Sequence, residues 1–236
     1  MKSRNIHVIV TAAGSGKRFM KNNAGSTGSS GKPKQYQNLL GQPVILHSLL
    51  KFQKLKEVKS IIISADKKYF DLVHSIAFKH KITKLKAMVE GGNTRFESVR
   101  NAFNELNSPL DDIVMIHDAA RPNITAVDLK RIKDAAFKDG EVIPGSRIPE
   151  TVKRTKKDKV TETIPRDDLW LIQTPQAFRY NILSSAYILA GKKTDFTDES
   201  SLVEYAGFAV KVIEGSRYNI KITTQEDLNT LKKLMQ

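Results

Sequence analysis

The chain predicts an α/β fold: a mostly parallel, doubly wound sheet with a projecting two-stranded β-arm. Three observations carry that expectation. Short β-branched runs alternate with amphipathic helical stretches along most of the 236 residues. Regular βαβ alternation requires right-handed crossovers and a sheet covered on both faces. One segment, 150–178, breaks the rhythm by alternating Thr, Val and Ile with charges around a Lys-Lys-Asp-Lys turn, the pattern of an exposed hairpin.

The expected strands are 6–10, 60–64, 86–90, 112–118 and 140–146, short runs suited to buried strands and for the most part rich in Ile and Val. A helix over 43–55 starts with Pro43 at its first position. The next, 94–106, opens with Thr94 and Glu97 as a capping box and sets Phe96, Val99, Phe103 and Leu106 on one stripe. Thr125 and Asp128 repeat the device at 125–137. Lys221 falls on an expected strand just before a helix capped by Thr224. Residues 20–32 are Gly/Ser/Asn-rich with little to bury, which reads as a mobile lid or disordered loop. The arm is assigned to 148–170 within one domain over 1–236. An isolated hairpin is marginal in water, so this one is expected to pack on a second subunit.

Composition narrows the class. Apolar residues make up 40% and charged residues 27%, as in soluble globular proteins. No run approaches the roughly 18 apolar residues of a membrane span. Strand-like sequence begins by Ile6, leaving no room for a targeting peptide, so a cytoplasmic protein is expected. The absence of cysteine excludes disulfides and thiolate chemistry. Net charge is +14, and residues 1–56 hold ten Lys/Arg before the first acid, Glu57. Such a block suits nucleic acid, an anionic membrane surface or small polyanions. Here the cations interleave with glycines and no aromatic stacking pattern accompanies them, which favours small phosphorylated ligands over nucleic acid or membrane.

The block centres on AAGSGKR (12–18) and PKQY (33–36). Glycines let backbone approach a phosphate, and Lys17, Arg18, Lys32 and Lys34 supply charge. Two common phosphate loops are excluded. Thr11 and Arg18 stand where a Walker A loop needs Gly and Ser/Thr, and Phe19 replaces the third glycine of a dinucleotide fingerprint. Pro33 restrains the backbone before Lys34. In HDAARP (117–122), Asp118 ends a strand and faces the carboxyl edge, where ligands bind in such sheets. The alternative is that Asp118 and Arg121 merely pair to fix the turn. His117 reads as packed or hydrogen-bonded, not catalytic.

AAGSGKR…PKQY, GGNTRFESVRNA (91–102), IHDAARP (116–122), TPQAF (174–178), TDESSLVEYAG (197–207) and EGSRYNIKITTQEDL (214–228) occur in that order. Together they resemble the 2-C-methyl-D-erythritol 4-phosphate cytidylyltransferases of non-mevalonate isoprenoid biosynthesis. The resemblance implies a nucleotide-diphospho-sugar-transferase-like (Rossmann-like) fold, CTP and 2-C-methyl-D-erythritol 4-phosphate as substrates, Mg²⁺ as cofactor, and a homodimer with interlocked arms. It assigns Arg18, Lys34, Arg166 and Lys221 to catalysis. Ala12, Ala13, Gly14, Ser15, Gly16, Lys34, Gly92, Asn93, Ser98, Ala119 and Lys221 would bind nucleotide. Asp118, Arg121, Thr151, Arg166 and Lys221 would bind the acceptor, with Thr151 and Arg166 reaching the neighbour's site. Asp118 would also approach the metal, held mainly by CTP phosphates. The chain departs from the family pattern at Thr11, at Asn93 (often acidic) and at Ser200.

Ribitol 5-phosphate cytidylyltransferases share several of these motifs and are the nearest alternative. A non-catalytic nucleic-acid binder is the alternative of another class. It would bind with a steep salt slope and no special need for Lys34.

Overall fold

A computed structural model describes residues 4–16, 19 and 32–236. The expected lid at 20–32 lies outside the described residues except for Lys32, and Lys17 and Arg18 lie outside them too.

The strand β1 (Ile6–Ala12) runs through the middle of an eight-stranded sheet, parallel to β4 (Val58–Ala65) on one side and β6 (Ile113–Asp118) on the other. Beyond β4 lies β5 (Leu85–Glu90), also parallel. Beyond β6 lies β11 (Gln176–Arg179), antiparallel, and then β7 (Val142–Arg147), which pairs in parallel with β12 (Lys211–Glu214) and antiparallel with β10 (Trp170–Ile172). Two short strands, β2 (Asn38–Leu39) and β3 (Gln42–Pro43), form a separate small pair.

Alternation along the central strands feeds two cores. Ile6, Val8 and Val10 of β1, with Ile61 and Ile63 of β4, face one cluster, while Ile9 and Ile62 face the other. The first core is covered by α1 (Val44–Lys54), α2 (Phe70–Lys79) and α4 (Ala126–Asp139). The second is covered by α3 (Arg95–Asn104), α5 (Tyr180–Ala190) and α6 (Glu199–Tyr205). Fully burying each large side chain, such as Phe52 or Phe178, is worth about 1.5–3 kcal/mol. A third, smaller cluster of Phe19, Leu39, Val44, Ala120, Ile222, Leu228 and Leu231 docks α7 (Gln225–Leu234) near the carboxyl edge. The doubly wound, mostly parallel sheet expected from the sequence is therefore observed. No described helix is long and apolar enough to cross a membrane.

The capping boxes at Thr94/Glu97 and Thr125/Asp128 form as expected, Thr224 caps α7 as expected and completes a box with Asp227, and Asp198/Ser201 adds a fourth. Three expectations shift. Pro43 is the N-cap of α1, so the helix starts one residue later than expected, because the extended backbone of Pro43 closes the β2–β3 pair. The hairpin of β8 (Val152–Lys156) and β9 (Lys159–Ile164) stands as its own exposed two-stranded sheet, but 170–179 returns to the main sheet as β10 and β11. Lys221 is not on a strand: its neighbour Ile222 makes a backbone bond to Ala120 O and is buried in the third cluster, without a ladder.

His117 is fully buried at the end of β6. Its Nε2 lies 3.1 Å from Arg121 O, which only accepts, so Nε2 carries the proton and Nδ1 accepts from Thr174 Oγ1 at 3.1 Å. Burial pushes its pKa down to about 4, against the pull of the Asp118 charge. The folded state therefore keeps this imidazole neutral while the unfolded chain takes up a proton below pH 6.5. Stability is present above pH 6.5 and is lost as pH falls toward 4, by about 3 kcal/mol in total. In paired denaturant titrations, the stability advantage of wild type over His117→Gln should shrink by that order between pH 7 and pH 4. A constant difference would mean that the buried ring charges freely.

Candidate active site

The carboxyl ends of β1 and β6 and the turn after β5 enclose a cavity of about 510 Å³, a volume that suits a small-molecule ligand. Its floor is the loop leaving β1. Ala12, Ala13, Gly14, Ser15 and Gly16 line it, with Gly16 at φ +68°. This loop is fastened from below by the PKQY turn, a single 3₁₀ turn over Lys34–Tyr36. Gln35 Nε2 donates to Ala12 O (2.6 Å) and Gly14 O (3.0 Å), and Tyr36 Oη donates to Ala12 O at 3.3 Å. Burial pushes the Tyr36 phenol up, so it stays a donor. One short motif thus clamps the glycine loop and delivers Lys34 to the cavity wall, where Nζ donates to Ile222 O at 2.5 Å.

The opposite wall comes from the turn between β5 and α3. Gly92, Asn93 and Ser98 line the cavity. Ser98 Oγ donates to Thr94 O (2.8 Å) and accepts from Gly92 N (3.1 Å), while Glu97 caps the N–H groups of Asn93 and Thr94. Ser98 therefore shapes this turn. Gly91 lets it approach the first loop: a Cβ there would stand 2.1 Å from Ala13 Cβ.

Charge concentrates on Asp118, the last residue of β6. Its Oδ1 pairs with Arg95 Nε (3.1 Å) and accepts from Thr11 Oγ1 (3.3 Å); its Oδ2 pairs with Lys221 Nζ (2.7 Å) and lies 3.8 Å from Arg121 Nε. Burial alone would raise this carboxyl, but Arg95, Lys221 and Arg121 outweigh it and hold Asp118 well below the usual carboxylate range. Arg121 is fixed elsewhere, with Nη1 donating to Asn219 O at 2.7 Å. The simple Asp118–Arg121 turn pair is thus the weakest of the three contacts. A smaller cleft adjoins the cavity. It shares Arg95, Asp118 and Lys221 with it and adds Arg121, Thr197 and Asp198.

The arrangement is an anion site: cations on several elements surround a main-chain cradle. Of the residues singled out from the sequence, the structure gathers 12–16, Lys34, Gly92, Asn93, Ser98, Asp118, Arg121 and Lys221. Ala119 is instead buried in the first core, and Ala120 takes the place on the wall. Thr151 and Arg166 are exposed on the arm and line neither space, Arg166 donating to Pro149 O. Arg18 lies outside the described residues. Arg95, Gln35, Gly91 and Glu199 were missed. An arginine opening a helix and a glutamate following an N-cap read as ordinary helix-end charges.

The family model for IspD, 2-C-methyl-D-erythritol 4-phosphate cytidylyltransferase, matches residues 6–236. The chain belongs to this family. It is 38% identical to the 2-C-methyl-D-erythritol 4-phosphate cytidylyltransferase of Alkaliphilus metalliredigens, covering 94% of this chain and 90% of that one. The enzyme of that name from Lysinibacillus sphaericus is 37% identical, covering 94% and 91%. The crystal structure of the Francisella tularensis cytidylyltransferase superposes with a TM-score of 0.79 at 33% identity, covering 96% and 97%.

For a cytidylyltransferase the two glycine loops imply opposite outcomes on adding one methyl group. A Cβ at Gly14 meets nothing within 4 Å, so Gly14→Ala should leave Tm unchanged while weakening the CTP-induced Tm shift. Gly91→Ala forces the loops apart and should cost about 1–3 kcal/mol of stability. Thermal melts with and without CTP measure both; equal behaviour of the two variants would contradict the cradle.

Proposed function

We propose that this chain transfers the cytidylyl group of CTP to the phosphate of 2-C-methyl-D-erythritol 4-phosphate and releases pyrophosphate. The observation that carries the reading is the convergence of Lys34, Lys221 and Arg95 on one glycine-lined cavity, with Arg121 in the adjoining cleft, in a chain matched along its length by that family.

An acceptor phosphate oxygen attacks the α-phosphorus of CTP in line. A new P–O bond forms, the bond from α-phosphorus to the bridging oxygen breaks, and its electron pair leaves with pyrophosphate. The attacking oxygen is already ionised near pH 7, so no strong base is required and no protein nucleophile takes part. Both reactants are anions, which leaves the protein the tasks of alignment and cationic stabilisation. In this reading residues 12–16 wrap the triphosphate, Lys34 and Arg18 stabilise its outer phosphates and the transition state, and Lys221 sits beside the α-phosphorus. Gly92 and Asn93 bound the nucleoside end, in a turn that Ser98 shapes. Asp118 and Arg121 serve the acceptor in the adjoining cleft.

Mg²⁺ completes this reading. Among the described residues no three His, Asp or Glu side chains converge on a metal position, while Asp118 offers one ionised carboxylate on the wall. That donor set fits a hard cation held chiefly by triphosphate oxygens. Bound there, the ion would neutralise charge building on the leaving group.

The arm is proposed to make a homodimer in which Thr151 and Arg166 reach the partner's cleft. Both are exposed, and among the described residues β8 and β9 ladder only with each other.

Pyrophosphate release with CTP should be rapid with 2-C-methyl-D-erythritol 4-phosphate and slow with ribitol 5-phosphate; the reverse order would overturn the acceptor assignment. Lys34→Ala should lower kcat by about 10²–10³-fold with Tm nearly unchanged, and near-wild-type turnover would remove Lys34 from the transition state. Deleting 152–164 should give monomers that no longer bind acceptor. A dimer in light scattering after that deletion would contradict the role given to the arm.

A further inference from the structure

Glu199 is the one fully buried acid in this region that the transfer as written leaves unused, at 0% exposure. It is the first residue of α6, and its place is fixed by its neighbours. Gln176 Nε2 donates to Asp198 Oδ2 (2.7 Å), and Gln176 Oε1 accepts from Ser200 N (3.2 Å). From there Glu199 Oε2 takes Arg95 Nη1 at 2.7 Å, while Arg95 Nε holds Asp118 Oδ1 at 3.1 Å. The result is a chain of alternating acidic and basic side chains, Glu199–Arg95–Asp118–Lys221, running from the core to the cavity; burial pushes the Glu199 carboxyl up and Arg95 opposes that rise.

We propose that Glu199 is a positioning residue for the cytidylyl transfer: through Arg95 it anchors Asp118, so that Lys221 is free to turn to the phosphates without loosening that carboxylate.

The proposal rests on the function given above and on two asymmetries. The first is geometric. The two oxygens of Asp118 are divided, Oδ1 to Arg95 and Oδ2 to Lys221. Arg95 is held at both ends by a planar fork and its side chain is 24% exposed. Lys221 is a point charge on a four-carbon stem, and its side chain is 35% exposed. When anionic phosphates arrive, Lys221 is the cation that can turn to them, and Oδ1 keeps its partner. The second asymmetry is energetic. Glu199 Oε1 and Arg95 Nη2 are buried without hydrogen-bond partners. Buried ion pairs with unmet partners are poor stabilisers, and apolar side chains of similar volume commonly do as well or better. Stability alone does not account for this pair, whereas fixing a guanidinium at a reacting centre does.

The test compares wild type with Glu199→Gln, Arg95→Met and Arg95→Met/Glu199→Leu in pyrophosphate release from CTP and 2-C-methyl-D-erythritol 4-phosphate, with Tm measured alongside. Glu199→Gln keeps the shape and an acceptor oxygen and removes only the charge. It should lower kcat about tenfold while the KM for CTP moves less than about threefold. The apolar pair should melt at or above the wild-type temperature and turn over no more slowly than Arg95→Met alone, because the two residues act as one unit. A folded apolar pair with wild-type kcat would overturn the proposal, as would Glu199→Gln with unchanged kcat, or losses that multiply in the double variant. If the apolar pair fails to fold, the isosteric Glu199→Gln decides alone. Wild-type turnover in the same assay tests the function itself: its absence would sink that reading, whereas active wild type beside unaffected variants would sink only the role of Glu199.

Discussion

A carboxylate buried at the end of a central parallel strand must be compensated, and that requirement organises this site. Asp118 is 5% exposed, and an unpaired charge there would protonate or unfold the region. Compensation comes from three directions: Arg95 from the start of α3, Arg121 from the turn after β6, and Lys221 from the segment docked on Ala120. The cations outnumber the acid they surround. Satisfying Asp118 therefore leaves a positively charged wall beside a backbone cradle. One constraint on the fold yields the electrostatics that two phosphorylated reactants need.

The cradle has its own dependence. The loop after β1 has no regular structure to hold it. Gln35 and Tyr36 take the carbonyl of Ala12, and Gln35 also takes that of Gly14. Lys34 is adjacent in sequence, so the clamp that sets the loop also sets the height of its cation. Its ammonium rests on Ile222 O, next to Lys221. Two lysines distant in the chain are thereby registered against one another through a single backbone carbonyl.

Much of this was legible in the sequence because it obeys short-range rules. The central strands announced themselves by β-branched runs, and the helices by Thr-x-x-Glu and Thr-x-x-Asp caps whose reciprocal bonds need only four residues. Asp118 followed from its place at a strand end. What stayed hidden depends on contacts far apart in the chain. Arg95 and Glu199 are 104 residues apart, and each sits where a helix start would carry a solvated charge anyway. Lys221 lies in an alternating run that mimics a strand, yet the alternation serves the packing of Ile222 under Ala120. Ala119 and Ala120 cannot be told apart by composition, and only the turn after β6 decides which faces the cavity. Residues 170–179 read as a continuation of the arm because short antiparallel strands returning to a parallel sheet carry no periodicity of their own.

The choice of cation at each position follows from whether it must stay or move. Arg121 is tied to Asn219 O and Arg95 to two carboxylates, so their planar forks are fixed before any ligand arrives, and little ordering remains to oppose binding. Lys34 and Lys221 present ammonium groups on long stems at the cavity wall, point charges whose direction is less fixed than that of a guanidinium fork. A site built only of arginines would lack a compact ammonium able to change partner once phosphates bind. One built only of lysines would leave Asp118 without a fixed partner at the moment its mobile partner is needed elsewhere. Division of labour between the two side chains lets the same cluster hold Asp118 in place and still offer positive charge to the cavity.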